Sequence, residues 1–257
     1  MLWLLMPSSL PSGEMPHGGR KLQMEIEAWT LEAMPRALTQ DPVTNQIKDN
    51  IMRQQNMANH WWWRPGWKSG RRFYTWHITF QNAPDVHRIA QAYREGLAGV
   101  PGLDLVPDRW LHLTMQGLGF VDEVAEEDAR AIVEAASRRL GNILAFELKF
   151  ERPGITPEAI RWEVTPAEPP AAVRRAIRQA IAEVWPSVPE PEEGFAPHVT
   201  IAYSSAEGPS APVAAALASV ETAPAAAQID SAELIVLGRD RQMYEWEPFA
   251  SVPLAKP

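Results

Sequence analysis

The stretch Trp110–Phe120, WLHLTMQGLGF, sets a histidine and a threonine two residues apart inside an apolar run. Side chains in a strand alternate between faces, so His112 and Thr114 share one face while Leu113 and Met115 turn to the other. A strand that only had to pack would have no use for that polar pair. The same pattern, His-apolar-Thr-apolar, returns as HVTI at His198 and as HITF at His77. With six histidines and ten threonines in 257 residues, composition alone would yield roughly 0.2 such pairs.

The surroundings of these strands define the fold class. RFYTWHITF (72–80) alternates and is rich in β-formers. APDVHRIAQAYREGLAG (83–99) places Val86, Ile89, Ala90, Tyr93 and Leu97 at helical spacing. LDLVP (103–107) and the opening stretch are strands. EVAEEDARAIVEAASRRLG (123–141) is an amphipathic helix, with acids early and arginines late as the helix dipole favours. LAFELKF (144–150) and AIRWEV (159–164) read as strands and PPAAVRRAIRQAIAEVW (169–185) as a helix. PHVTIAYSS (197–205) is a strand, followed by a short alanine-rich helix over 212–220. QIDSAELIVLGRD (228–240) and YEWEPFASVPL (244–254) close the chain as two strands. This order predicts an α+β fold in two comparable halves, each with one His-x-Thr strand.

Residues 1–72 read differently. They mix Pro, Gly, Met and polar residues, with a possible helix over 21–38, and predict an N-terminal extension that is partly disordered. Its end, NHWWWRPGWKSGRRF (59–73), holds four tryptophans and four basic residues. That is too apolar for a free linker. It is expected to pack on the main domain along a cleft rim, where aromatic and arginine side chains could also stack on a base. The domain division predicted is 1–72 for the extension and 73–257 for the main, two-lobed domain.

A net charge of −8 is unevenly spread, +3 over residues 1–72 and −11 over the remainder. An acidic body argues against capture of long duplex nucleic acid, which needs many cations against phosphates. A small or single-ended phosphate substrate stays compatible. The absence of cysteine removes disulfides, thiolate metal sites and a cysteine nucleophile, and fits a reducing cytoplasm. No apolar run approaches the roughly 20 residues of a membrane span. A cytoplasmic monomer without membrane attachment or cofactor is the expectation.

Two histidines facing each other across a cleft suit acid–base chemistry at phosphorus. With an ordinary pKa near 6.5, one imidazole can be neutral and the other protonated. The neutral ring takes a proton from water or a hydroxyl, and the protonated ring delivers one to the departing oxygen. Each threonine hydroxyl can donate to a non-bridging phosphate oxygen as charge builds there. No metal is required.

The motifs HLTM at His112 and HVTI at His198 resemble the paired signatures of the 2H phosphoesterase superfamily. Within it they are most similar to the 2'-5' RNA ligase and RNA 2',3'-cyclic phosphodiesterase group. HLTMQGLGF also resembles the first motif running into a Leu-Gly turn, and GFAPHVTIAYS the Phe-x-Pro-His lead-in of the second. The resemblance covers about residues 73–257. It implies a bilobal fold of two antiparallel-sheet lobes with outer helices and a central cleft. It implies metal-independent chemistry on 2',3'-cyclic phosphates or 2'-5' linkages, with an RNA terminus or small nucleotide as partner. Carried over by motif, the catalytic set is His112, Thr114, His198 and Thr200, with His198 as base and His112 as acid or the reverse.

His77 and Thr79 occupy the first strand, where a motif histidine is not part of the family pattern; they are candidate substrate contacts if that strand lies beside the His112 strand. Gln116 joins them by alternation, and the same rule turns Tyr203 away from His198. Arg239 and Arg241 could meet phosphate but suit a solvated loop. A non-catalytic nucleotide or RNA-end binder using the same cleft is the alternative; intact His and Thr in both motifs favour the enzyme.

Overall fold

The tryptophan-rich segment does not precede the fold but begins it. In the computed structural model, which describes residues 56–256, Asn56–Met57 (β1) pairs antiparallel with Gly208–Pro209 (β9). Trp61 is 9% exposed within the main core cluster, and its indole N–H donates to Asp104 at 2.7 Å. Among the described residues the folded unit already includes 56–72, ahead of the boundary expected at 72/73. The reason is apolar area: Met57 and Trp61 are buried, and a stretch that buries such side chains does not behave as a linker. The extension over 1–55 and the helix expected over 21–38 lie outside the described residues.

The chain continues through Phe73–Thr79 (β2), Pro84–Leu97 (α1), Leu103–Leu105 (β3), His112–Phe120 (β4) and Glu126–Leu140 (α2). Phe146–Phe150 (β5), Gly154–Thr156 (β6), Ala159–Glu163 (β7) and Glu168–Val184 (α3) follow. His198–Ser204 (β8), β9, Ala211–Ala218 (α4), Ala225–Ile229 (β10), Ser231–Gly238 (β11) and Glu245–Pro253 (β12) complete it. The expected succession is present, with three short strands added: β1, β6 and β9. The stretch expected as one strand over 228–240 is instead cut at Asp230, a poor β-former, between β10 and β11. The two pieces serve different sheets.

Two four-stranded antiparallel sheets carry the two motifs. One has the order β12-β11-β2-β4 and the other β3-β8-β7-β6, and β10 pairs with β5 apart from both. His112 opens β4 and His198 opens β8, and these two strands touch where the sheets meet. Among the described residues the architecture is therefore α+β, with two four-stranded and two two-stranded antiparallel sheets, as the order of elements and the family resemblance implied.

The helices cover the outer faces by their periodicity. On α1 the buried residues are Val86, Ile89, Ala90, Tyr93 and Leu97, the set that the 3.6-residue spacing selects. On α2, Glu126, Glu127 and Asp128 stand in the first turn and Arg138 and Arg139 in the last. Arg138 and Arg139 both reach Glu183 of α3, at 2.8 and 2.6 Å, tying the two helices together at the surface. Among the described residues no helix is long and apolar enough to cross a membrane.

If the segment before Phe73 is part of this core, Trp61→Ala should cost on the order of 3 kcal/mol, as large-to-small changes at buried aromatics do. Urea unfolding of the full chain measures this. A midpoint equal to that of the unaltered protein would mean that the segment only lies on the surface.

Candidate functional site

The motif strands are not regular beyond the threonine. On β4, His112 pairs with Thr79 and Thr114 with His77, but Gln116 then pairs with Trp76, leaving Met115 as an extra residue. On β8, His198 pairs with Glu163 and Thr200 with Arg161, but Ala202 then pairs with Ile160, leaving Ile201 as an extra residue. Each His-x-Thr is thus followed at once by a bulge, a device that re-aims the side chains after it.

These bulges overturn two expectations drawn from alternation. Gln116 is set opposite the core residue Trp76, is fully buried and does not line the cleft. Its amide donates instead to the Pro189 carbonyl at 2.6 Å and to the Glu190 carboxylate at 3.2 Å. Tyr203, expected to point away from His198, is shifted onto the cleft face and lines the cavity. Five residues beyond His112, the place corresponding to Tyr203 is Gly117. A Cβ there would stand 2.6 Å from a Glu190 carboxylate oxygen and 2.8 Å from the Phe73 ring. The missing side chain admits Glu190, which accepts from the Gly117 N–H at 3.1 Å while holding a left-handed φ of 62°.

One cavity of about 620 Å³ is lined by His77, His112, Thr114, His198 and Thr200 together. The four residues carried over by motif are therefore brought to one place, with His77 beside them; Thr79 is not on its wall. Arg239 and Arg241 are not on it either. Tyr203 is on this wall against expectation, Trp67 comes from the segment expected at the cleft rim, and His60, Glu158, Arg161, Glu190 and Tyr244 were not singled out from the sequence. Of these only Arg161 carried a local signal, as a charge between two core residues, Ile160 and Trp162, in a strand.

The two motif imidazoles are held alike. His112 Nδ1 lies 2.8 Å from the Trp110 carbonyl and His198 Nδ1 lies 2.8 Å from the Ala196 carbonyl, two residues back in each case. A carbonyl only accepts, so Nδ1 carries the proton and Nε2 is left as the basic nitrogen. Burial pulls the pKa of His112 down to about 4, against the carbonyl that favours its charged form, with His198 adding a smaller depression. Burial also lowers His198, and Arg161 pushes in the same direction while Glu163 opposes it.

His77 stacks on His112 with centroids 4.3 Å apart and planes within 6°, and its Nε2 lies 3.4 Å from the Thr114 hydroxyl. Full burial, then the neighbouring His112, keep His77 well below the ordinary histidine range. His60 completes the group from the other side. Its Nδ1 donates to Glu158 at 3.0 Å, its Nε2 accepts from the Tyr244 hydroxyl at 2.9 Å, and its ring stacks on Tyr203 at 4.4 Å. Burial, helped by Arg64, brings its pKa to about 4 despite Glu158.

All four cleft histidines are thus easier to protonate in the unfolded chain than in the folded one. Below pH 6.5 the unfolded state binds more protons, so the stability tied to the neutral rings is complete above about 6.5 and is lost as pH falls toward 4. The urea midpoint should fall from pH 7 to pH 5, and His60→Gln should flatten that fall. A midpoint constant over this range would contradict the buried, neutral rings.

Known proteins share this fold. Among the solved structures, TT0787 of Thermus thermophilus superposes with a TM-score of 0.55 at 18% identity, covering 72% of this chain and 98% of its own. LigT of E. coli complexed with 3'-AMP gives a TM-score of 0.52 at 17% identity, covering 72% of this chain and 99% of its own. A structure described only as a phosphoesterase gives 0.53 at 17% identity, with 72% and 99% covered. At such identities the likeness establishes the fold. No curated protein sequence matches the chain. The sequence model of the 2'-5' RNA ligase superfamily matches residues 83–241, more than half of the chain and including the His112 and His198 strands. The chain belongs to the 2'-5' RNA ligase superfamily.

Proposed function

We propose that the protein is a metal-independent phosphoesterase acting on 2',3'-cyclic phosphates or 2'-5' phosphodiester linkages of RNA ends or small nucleotides. The observation that carries this reading is the matched pair His112–Thr114 and His198–Thr200 on one cavity, each imidazole oriented by the same Nδ1–H to carbonyl bond. Two equivalent bases with two hydroxyl donors are what an in-line displacement at phosphorus uses on its opposite sides.

In hydrolysis of a cyclic phosphate, the basic imidazole removes a proton from water as the water oxygen bonds to phosphorus. One ester P–O bond breaks on the far side, and its ribose oxygen takes a proton from the second, protonated imidazole. Run backwards, the same steps join a hydroxyl to the phosphate. Thr114 and Thr200 donate to the non-bridging oxygens. Arg161, on the cavity wall beside Thr200 and making no ion pair with a carboxylate among the described residues, supplies positive charge to them. That guanidinium provides the charge for which other phosphoesterases use a metal cation.

The environments divide the histidine roles. His112 is enclosed, stacked on His77 and depressed to about 4, which keeps it neutral and makes it the base. His198 is half-buried, Glu163 opposite it works against the lowering by burial, and a bound phosphate acts in the same direction as Glu163, so His198 is taken as the acid. Glu190 repels phosphate and so faces the nucleoside, accepting from a ribose hydroxyl or a base N–H. The 3'-AMP held by LigT is a ligand of the same kind, a nucleotide carrying a terminal phosphate.

The test is a panel of 2',3'-cyclic nucleotides and 2'-5' dinucleotides with chelator present. His112→Ala and His198→Ala should each lower kcat by about 10²-fold or more, the usual share of a positioned acid or base. Arg161→Gln should lower kcat/KM with a smaller change in the pH profile. Retained turnover in both histidine variants would overturn the mechanism, loss of turnover with EDTA the metal independence. Tight binding without turnover would make the protein a nucleotide binder.

A further inference from the structure

Trp62 and Trp63 are 49% and 54% exposed, while the other described tryptophans are buried or half-buried. Beside them lies a second cavity of about 460 Å³, lined by Trp61, Trp63, Arg239, Asp240, Arg241 and Gln242. It is separate from the histidine cleft but shares a wall with it. The Trp61 ring stands 4.9 Å from His60 and 5.4 Å from Tyr244, which both line the cleft.

Arg239 is the unusual member. It is 4% exposed, and its guanidinium sits among the rings of Trp61, Trp63, Trp67 and Tyr244 at 5.5–5.9 Å. Nη2 donates to the carbonyls of Trp62 and His60 at 3.2 and 3.5 Å, whereas Nη1 has no partner. Arg174 offers the comparison. It is 7% exposed, and each of its three nitrogens donates to a backbone carbonyl at 2.8 Å. Arg174 is satisfied by the fold. Arg239 is held by ring faces and two long bonds, and a buried guanidinium without a counter-charge is costly.

The charges around it leave room for an anion. Asp240 is already engaged, accepting from Arg72 and from the Gly70 N–H, both at 2.8 Å. Arg241 adds a second guanidinium at the surface, steadied by Glu245 at 2.7 Å. Trp63 is the most exposed ring around Arg239.

We infer that this cavity is a second nucleotide subsite, which takes the nucleotide adjoining the one in the histidine cleft. Its phosphodiester lies against Arg239 and Arg241, and its base stacks on Trp63, as single-stranded nucleic acid stacks on exposed aromatic rings. The substrate is therefore a single-stranded RNA terminus in preference to a free mononucleotide. This rests on the phosphoesterase reading and deepens it. Trp61 and Trp63 precede the matched span 83–241, so the family resemblance does not supply the stacking surface.

The experiment uses the full chain, fluorescein-labelled pentaribonucleotide ending in a 3'-phosphate, and anisotropy, with adenosine 3'-monophosphate and inorganic phosphate as competitors. The pentanucleotide should bind at least about tenfold more tightly than the mononucleotide, the gain expected from one stacked base and one further phosphate contact. Trp63→Ala and Arg241→Gln should remove most of that gain while leaving turnover of a 2',3'-cyclic mononucleotide within about twofold. Equal affinity for the two lengths, or a gain that survives both substitutions, would overturn the subsite, as would competition by inorganic phosphate as effective as by nucleotide. Failure of the phosphoesterase reading shows separately, as absent turnover with the length-dependent binding intact. Both side chains are exposed, and an unchanged urea midpoint confirms that the variants fold.

Discussion

The arrangement depends on a short hydrogen bond made twice: from an imidazole Nδ1–H to the carbonyl two residues earlier, at 2.8 Å for both His112 and His198. Each bond holds a ring at the first residue of its strand, where its Nε2 is free for other work. Because β4 and β8 touch where the sheets meet, two local devices become one site. Neither sheet alone would bring two such imidazoles to one cavity.

The bulges after Thr114 and Thr200 then make the halves unequal. Equivalent places carry Gly117 in one half and Tyr203 in the other. The glycine lets a carboxylate, Glu190, reach the cavity, whereas the tyrosine closes its own half with an aromatic wall stacked on His60. A near-symmetric pair of His-x-Thr strands is thereby set in an asymmetric pocket.

One carboxylate gathers three donors of the segment 56–72. Glu158, in the turn between β6 and β7, accepts from His60, Arg64 and the Trp62 indole at 2.8–3.2 Å. Burial would raise its pKa, but these donors outweigh it and hold the carboxylate ionised. His60 and Trp67 are in this way delivered to the cleft, and Trp61 and Trp63 to the cavity behind it.

Much of this was legible in the residues. The period of 3.6 selected the buried face of α1 residue for residue, and the His-x-Thr pairs marked the four side chains that now share a cavity. What failed was alternation carried past Thr114 and Thr200, which placed Gln116 in the cleft and Tyr203 outside it. A bulge is a property of two paired strands, and nothing within MQG or IAY announces it. The sequence by itself determined the elements, their order and the motif pair, because periodicity and residue type act over a few neighbouring positions. Only the tertiary structure decided that His60, Glu158, Arg161, Glu190 and Tyr244 join the site. Their positions follow from strand register and from contacts across tens to hundreds of residues, such as the 184 between His60 and Tyr244.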